Sequence, residues 1–329
     1  MEATELRPLS LGELLDRTFT LYRAHFWVFV GIMAIPAAIG VPLNFFVSRS
    51  FVSSFGNPGK LAPVSPASFG FLWGFLGVIA VIGLASAILY AIVAAAVTFA
   101  VSEAYLGRSS TVAGAYRSVR GRVWRLLGVA LNVLIRLLGI AIGISVVGMV
   151  GGLVIVGLVA AVPGAGAAGP AAAIAGVLLV LVLYVGILAA IVYLALRYAV
   201  AIPALMLEDL GVLASIRRSV QLTKGRRGQV FIALLLSFLI SAVGSLIFYV
   251  PFYILTIATT MGGHAIPAWL SLAASVSSAV GRSLTGPIFL IVLVLCYYDT
   301  RIRKEAFDLQ FMMASLDRRT PAAGTVPSA

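Results

Sequence analysis

The sequence predicts an all-α protein: a polytopic transmembrane helical bundle of about six spans, with three short amphipathic helices in a pseudo-threefold repeat. Three observations carry this reading. Of 329 residues, 61% are hydrophobic and only 10% are charged, against about 25% charged in an ordinary soluble chain. Apolar runs long enough to span a bilayer recur along the chain, and basic residues crowd into every second connection. A soluble domain of this size still needs a polar exterior, so an aqueous enzyme is excluded at the outset.

The first 25 residues carry Arg, Glu and Asp where a signal peptide has an apolar core, so no cleavable leader is expected. Crossing a ~30 Å hydrocarbon layer takes about 20 helical residues. Apolar runs of at least that length occupy 26–47, 69–101, 123–162, 171–207, 230–260 and 269–298. The third run would measure roughly 60 Å as one helix, so it has to tilt, project or break. Gly139, Gly143, Gly148, Gly151 and Gly152 are its expected break points. Pro36, Pro42, Pro203, Pro251 and Pro287 are expected to kink or end their spans.

Charge orients the bundle. Arg108, Arg117, Arg120, Arg122 and Arg125 follow the second run, Arg217, Arg218, Lys224, Arg226 and Arg227 the fourth, and Arg301, Arg303 and Lys304 the sixth. The alternate connections are nearly bare: 48–68 holds only Arg49 and Lys60, 163–170 no charge, and 261–268 only His264. The positive-inside rule therefore places both termini and the basic loops in the cytoplasm. The net charge of +12 is explained by topology, and no nucleic-acid partner is expected.

The basic segments also repeat with a period of about 100 residues. Arg17-Thr18-Phe19, Arg117-Ser118-Val119 and Arg218-Ser219-Val220 each lie in a short segment with helical apolar spacing, ahead of a basic turn and an apolar run. The expected interfacial helices cover 10–22, 112–123 and 211–223, the first opened by a Ser10/Glu13 capping box. An acid closes each unit: Glu103, Glu208 and Asp299. Helix C-termini disfavour negative charge, so each acid is expected to lie within about 4 Å of an arginine. Arg17, Arg117 and Arg218 are the first candidates, and Arg197 an alternative for Glu208. The organisation is one integral membrane domain over 1–319, with units at about 8–107, 108–210 and 211–305, and a disordered tail at 320–329.

Three arginines fall inside apolar runs: Arg136, Arg197 and Arg282. A charge at mid-membrane costs about 2.5–3.5 kcal/mol on insertion scales and marks a functional hypothesis, here an anionic ligand or headgroup. The competing reading is anchorage by snorkelling, simplest for Arg197. Enzyme and cofactor signals are not expected. His25 and His264 lack neighbouring carboxylates at ligand spacing, Cys296 is the single cysteine, and the Gly-rich 163–170 lacks the Lys-Ser or Lys-Thr of a phosphate loop.

The segments LRPLSLGELLDRTFTLYRAHF, LEDLGVLASIRRSVQLTKGRRGQVF and GPIFLIVLVLCYYDTRIRKEAFDLQ resemble the glycerophosphoryl diester phosphodiesterase membrane-domain family, most specifically through Tyr298-Asp299-Thr300-Arg301-Ile302-Arg303-Lys304-Glu305. The resemblance implies a bacterial cytoplasmic membrane protein. The catalytic barrel that accompanies this domain in some members needs about 250 further residues, with paired histidines and metal-binding carboxylates. It is missing here, so the resemblance implies no enzyme activity.

The sequence thus leads to a non-enzymatic membrane scaffold or assembly component. Its partners would be the bilayer, anionic headgroups, and a membrane protein or second copy. The alternative is a transporter or lipid-handling protein that binds an anionic ligand through intramembrane arginines. A polar cavity near the midplane favours the second; a dry small-residue interface favours the first.

Overall fold

The computed structural model describes residues 9–55, 66–160 and 170–305, all in helices and their connections. The expected outer connections around Lys60 and 163–169, and the expected disordered tail at 320–329, lie outside the described residues. Among the described residues ten helices follow one another: α1 (Leu11–Ala24), α2 (Phe26–Phe55), α3 (Pro66–Tyr105), α4 (Val112–Arg120), α5 (Val123–Ala160), α6 (Pro170–Tyr198), α7 (Ala201–Glu208), α8 (Val212–Thr223), α9 (Arg227–Met261) and α10 (Ala268–Glu305). No strand occurs among the described residues. Among the described residues six segments are long and apolar enough to cross a membrane. This is an all-α, multi-pass helical bundle.

One expectation about breaks is corrected and one is met. α5 runs unbroken through all five of its suspect glycines. Gly148 instead marks a close approach, since a Cβ there would lie 2.4 Å from the Leu183 side chain of α6. The fourth run does break, between Tyr198 and Ala201. Pro203 explains it: the proline ring clashes with the carbonyl four residues back, that of Ala199, and offers it no N–H.

Pro36, Pro42, Pro251 and Pro287 all sit inside continuous helices. Each orphans a carbonyl, and apolar surroundings make an orphan costly. For Pro36 that carbonyl is Ile32's, and the Tyr116 hydroxyl of α4 donates to it at 2.7 Å. Burial pushes the Tyr116 pKa up to about 12, so the donor keeps its proton at any physiological pH.

The three short helices pack in a ring. α4 lies on α3, α8 on α7, and α1 on α10, so each covers the helix that ends the preceding unit and the first closes on the last. Each also meets the first span of that preceding unit: α4 meets α2, α8 meets α5, and α1 meets α9. Small residues allow the approach. A Cβ on Gly31 would come within 2.8 Å of Val112, and one on Gly128 within 2.7 Å of Val212. In the third unit Ala233 and Leu11 line one small gap. The capping box of α1 is present, with Ser10 and Glu13 bonded reciprocally.

Burial corrects the register read from the sequence. Counted from the first residue of each short helix, the fourth and eighth positions are buried: Leu14 and Thr18, Ala115 and Val119, Ser215 and Ser219. Thr18 therefore corresponds to Val119 and Ser219, and Ser118, not Arg117, corresponds to Arg17 and Arg218. The Arg-Ser pair of the second unit is displaced by one residue, about 100° around the helix.

The most solvent-free stretches are the C-terminal halves of α3 and α10, with Ala94, Ala95, Ala96 and Val97 in one and Ile291, Val292 and Leu295 in the other, all in one apolar core. Tyr116→Phe deletes the donor to Ile32 and leaves the methylene packing intact. It should cost about 1–2 kcal/mol, read as a lower melting temperature in detergent; Tyr22→Phe, which removes a hydroxyl donor to the Leu284 carbonyl of α10, provides a comparison.

Candidate functional site

The final turns of α10 tie the units together. Tyr297 is fully buried and donates its hydroxyl to Glu208 Oε1 at 2.7 Å. Tyr298 stacks on Tyr105 with centroids 5.3 Å apart. Asp299 is buried, accepts the Leu9 N–H at 2.9 Å and pairs with Arg303 at 2.9 Å, while Arg303 donates to the Leu9 carbonyl at 2.7 Å. Lys304 donates to the carbonyls of Gln221 and Lys224, at the C-terminus of α8. Such terminal carbonyls lack intrahelical donors, and an ammonium there also meets the negative end of the helix dipole.

The predicted acids and arginines meet in part. Arg218 Nε lies 2.9 Å from Glu208, and Arg301 Nε lies 3.9 Å from the same carboxylate. Glu103 has Arg108 at 3.9 Å, an exposed partner, and Asp299 has Arg303 from its own helix. Arg17 instead lies over the Tyr105 ring at 4.7 Å. Arg117 is exposed and has no ion-pair partner among the described residues, as its displaced register dictates. Arg197 is not at Glu208; it contacts Tyr193 and Tyr198.

Sequence reasoning passed over Asp209. It adopts a left-handed conformation, φ 49°, at the end of α7 and so turns the chain into α8. Arg122 and Arg125 both donate to its Oδ1 at 3.0 Å. The hydrogen bond and charge of Arg122, with the opposing cost of desolvation smaller and Arg125 adding to the effect, lower its pKa below the ordinary aspartate value. This pair ties the second unit's basic turn to the start of the third. The Glu-Asp pair at the end of a span was its sequence signal.

Two of the intramembrane arginines have aromatic partners. The Arg136 guanidinium donates to the Tyr198 hydroxyl and lies 5.2 Å from that ring. Arg197 lies 5.8 Å from the same ring, and donates to the Tyr193 hydroxyl at 3.4 Å. Arg282 differs, with neither a hydrogen bond nor an ion pair among the described residues.

Arg282 stands about 20 Å along α10 from the exposed Trp269 and about 25 Å from Asp299, far from both ends of the apolar length. Two cavities meet at its side chain. One, of about 380 Å³, is lined by polar groups that include Asn44, Tyr249, Tyr253, Ser275 and Ser278. The other, of about 560 Å³, lies between α2, α3 and α10 and is lined mainly by apolar residues such as Met33, Pro36, Leu43, Leu89 and Val93. The Ser-rich face of α10, read from sequence as helix packing, serves both purposes: Ser277 bonds the Phe248 carbonyl of α9 at 2.6 Å, while Ser275 and Ser278 line the cavities. Among the described residues no cluster of His, Cys, Asp and Glu has metal-binding geometry.

Fold and site define a multi-pass helical membrane protein with an arginine, unpartnered among the described residues, between a polar and an apolar cavity. The chain belongs to a family of unknown function, DUF7544, whose profile matches residues 17–308. That match gives no link to the glycerophosphoryl diester phosphodiesterase membrane domains. No curated protein and no solved structure matches the chain.

Arg218→Ala would leave Glu208, in a partly desolvated site with side-chain exposures of 22% and 14% for the pair, with the Tyr297 hydroxyl and the more distant Arg301. It should destabilise the protein by about 1–3 kcal/mol. Neutralising the acid as well, in an Arg218→Ala/Glu208→Gln double variant, should recover part of the loss in detergent melting curves. Equal melting of parent, single and double variants would show that the pair carries no structural load.

Proposed function

We propose that this protein handles lipid: it binds an anionic amphiphile within the membrane, with the head at Arg282 and part of the chain in the adjoining apolar cavity. The single observation behind this reading is an arginine deep in the apolar length, without a hydrogen-bond or ion-pair partner among the described residues, at the junction of a polar and an apolar cavity. Intramembrane cations are retained where a ligand or pathway needs them. The two volumes fall in the range of small-molecule sites. The scaffold reading rested on the lack of any other signal in the sequence, and the cavity supplies one. No nucleophile and base stand together there, so binding or movement of the ligand is favoured over its hydrolysis.

The proposed setting is a bacterial cytoplasmic membrane, with the end bearing α1, α4 and α8 in the cytoplasm. Loop charge supports this orientation. Both ends of the described chain lie together there, since Arg303 holds Leu9. Single cysteines at positions 60 and 226 of a Cys296→Ala background should label from opposite sides of sealed vesicles; labelling from one side would overturn the topology.

Native mass spectrometry of the detergent-extracted protein should detect a retained anionic amphiphile. Arg282→Gln should reduce its occupancy about tenfold or more, the value of a lost charge-assisted hydrogen bond. Arg282→Lys should restore part of it. Unchanged occupancy in Arg282→Gln would refute the assignment of the cavity.

A further inference from the structure

A second cluster of cations lies away from the Arg282 cavity, where α5, α6 and α9 meet. Arg136 donates to the Tyr198 hydroxyl, Arg197 to the Tyr193 hydroxyl, and the Arg227 guanidinium lies 5.3 Å over the Tyr193 ring. Tyr198 is shared, because Arg136 and Arg197 both approach its ring. Three guanidiniums are thus linked through two tyrosines. The acids of the basic end are engaged with other arginines: Glu103 with Arg108, Glu208 with Arg218, Asp209 with Arg122 and Arg125, and Asp299 with Arg303.

Hydrogen-bond accounting shows what the cluster lacks. Arginine only donates, and a tyrosine that accepts from arginine still has its own O–H to donate. The Nε atoms of Arg197 and Arg227 are buried without any acceptor. Simple snorkelling would leave those donors in water. Here they are withdrawn from it and unpaired, a costly state that an acceptor-only anion relieves.

Depth and access identify the source of that anion. Arg227 begins α9 and lies over Tyr193, so the cluster reaches the basic end of that span, although the fourth run continues past Tyr198 through α7 to Glu208. Arg136 and Tyr193 are exposed on the outside of the bundle, Tyr193 by 46%. The cluster is therefore open sideways, on the face of the bundle that would meet the bilayer. Guanidiniums match phosphate oxygens in charge and in planar geometry.

We propose that Arg136, Arg197 and Arg227, bridged by Tyr193 and Tyr198, form a binding site for the phosphate of an anionic lipid headgroup in the leaflet at the basic end. The site is independent of the Arg282 cavity. The shared chemistry is a phosphate anion, and lipid and free phosphate are separated by the test.

The full chain, delipidated in detergent, is melted with added phosphatidylglycerol, phosphatidylcholine or inorganic phosphate, and bound lipid is counted by native mass spectrometry. Phosphatidylglycerol should raise the melting temperature and remain bound, and phosphatidylcholine should do neither. Arg136→Gln/Arg227→Gln should weaken phosphatidylglycerol binding by about fivefold for each arginine, about 25-fold in all. Arg136→Lys/Arg227→Lys, which keeps both charges, should retain most of the binding and controls for loss of folding. Arg282→Gln should leave this effect intact, so that failure of the cavity reading and failure of this one are distinguishable. A shift with inorganic phosphate alone would support the site and identify a soluble phosphate as its ligand. Equal binding of the two lipids, or phosphatidylglycerol binding to the double glutamine variant within about twofold of the parent, would overturn the proposal.

Discussion

The arrangement depends on one stretch of α10, from Tyr297 to Lys304. A helix C-terminus ordinarily presents unpaired carbonyls to solvent. Here it presents side chains that engage the other units: Tyr297 and Arg301 at Glu208, Tyr298 on Tyr105, Asp299 and Arg303 around Leu9, and Lys304 at the end of α8. Asp299 is buried and its charge is satisfied by one guanidinium and one backbone N–H. Removal of either neighbour leaves a charge in a site that cannot solvate it. That asymmetry fixes where α1 begins, and with it the closure of the ring of short helices.

Closure explains why the units, similar in pattern, differ in burial. α10 is flanked by α9, α2, α1 and α3, and is the most enclosed of the spanning segments. α5 and α9 turn rows of large apolar side chains outward, which bilayer solvent accommodates at no cost. Small residues do the corresponding work inside. Gly31, Gly128 and Ala233 let the first residue of each neighbouring short helix approach the first span of the preceding unit. A hydroxyl completes the packing where Pro36 orphans a carbonyl, Tyr116 donating to Ile32.

The two halves of the bundle differ in chemistry. At the basic end the core is dry and dense, and the acids are paired. Toward the other end two cavities meet at Arg282, a donor-only side chain with no hydrogen-bond or ion-pair partner among the described residues. A similar imbalance recurs at Arg136, Arg197 and Arg227. An imbalance of donors in a water-poor setting is a demand for anions. Both proposed sites follow from this single physical rule, applied at two depths.

Composition and apolar run length were sufficient to determine the helical class and the six spanning segments, because bilayer solvent permits a helix little alternative. The capping box at Ser10 and Glu13 and the Glu208–Arg218 pair were legible too, since both are local in the chain. Arg282 was legible as an anomaly, but not its cavity. Register was not legible: the Arg-Ser pair at 117–118 matches the other units by eye, yet burial aligns Val119 with Thr18 and Ser219. Neither were the partners of Glu103 and Asp299, nor the grouping of Arg227 with Arg136 and Arg197. A side chain's direction around a helix changes by 100° per residue, and pattern alone does not say which neighbour waits at that angle. Only the packing of distant segments decides which charges are satisfied within the protein and which are left for a ligand.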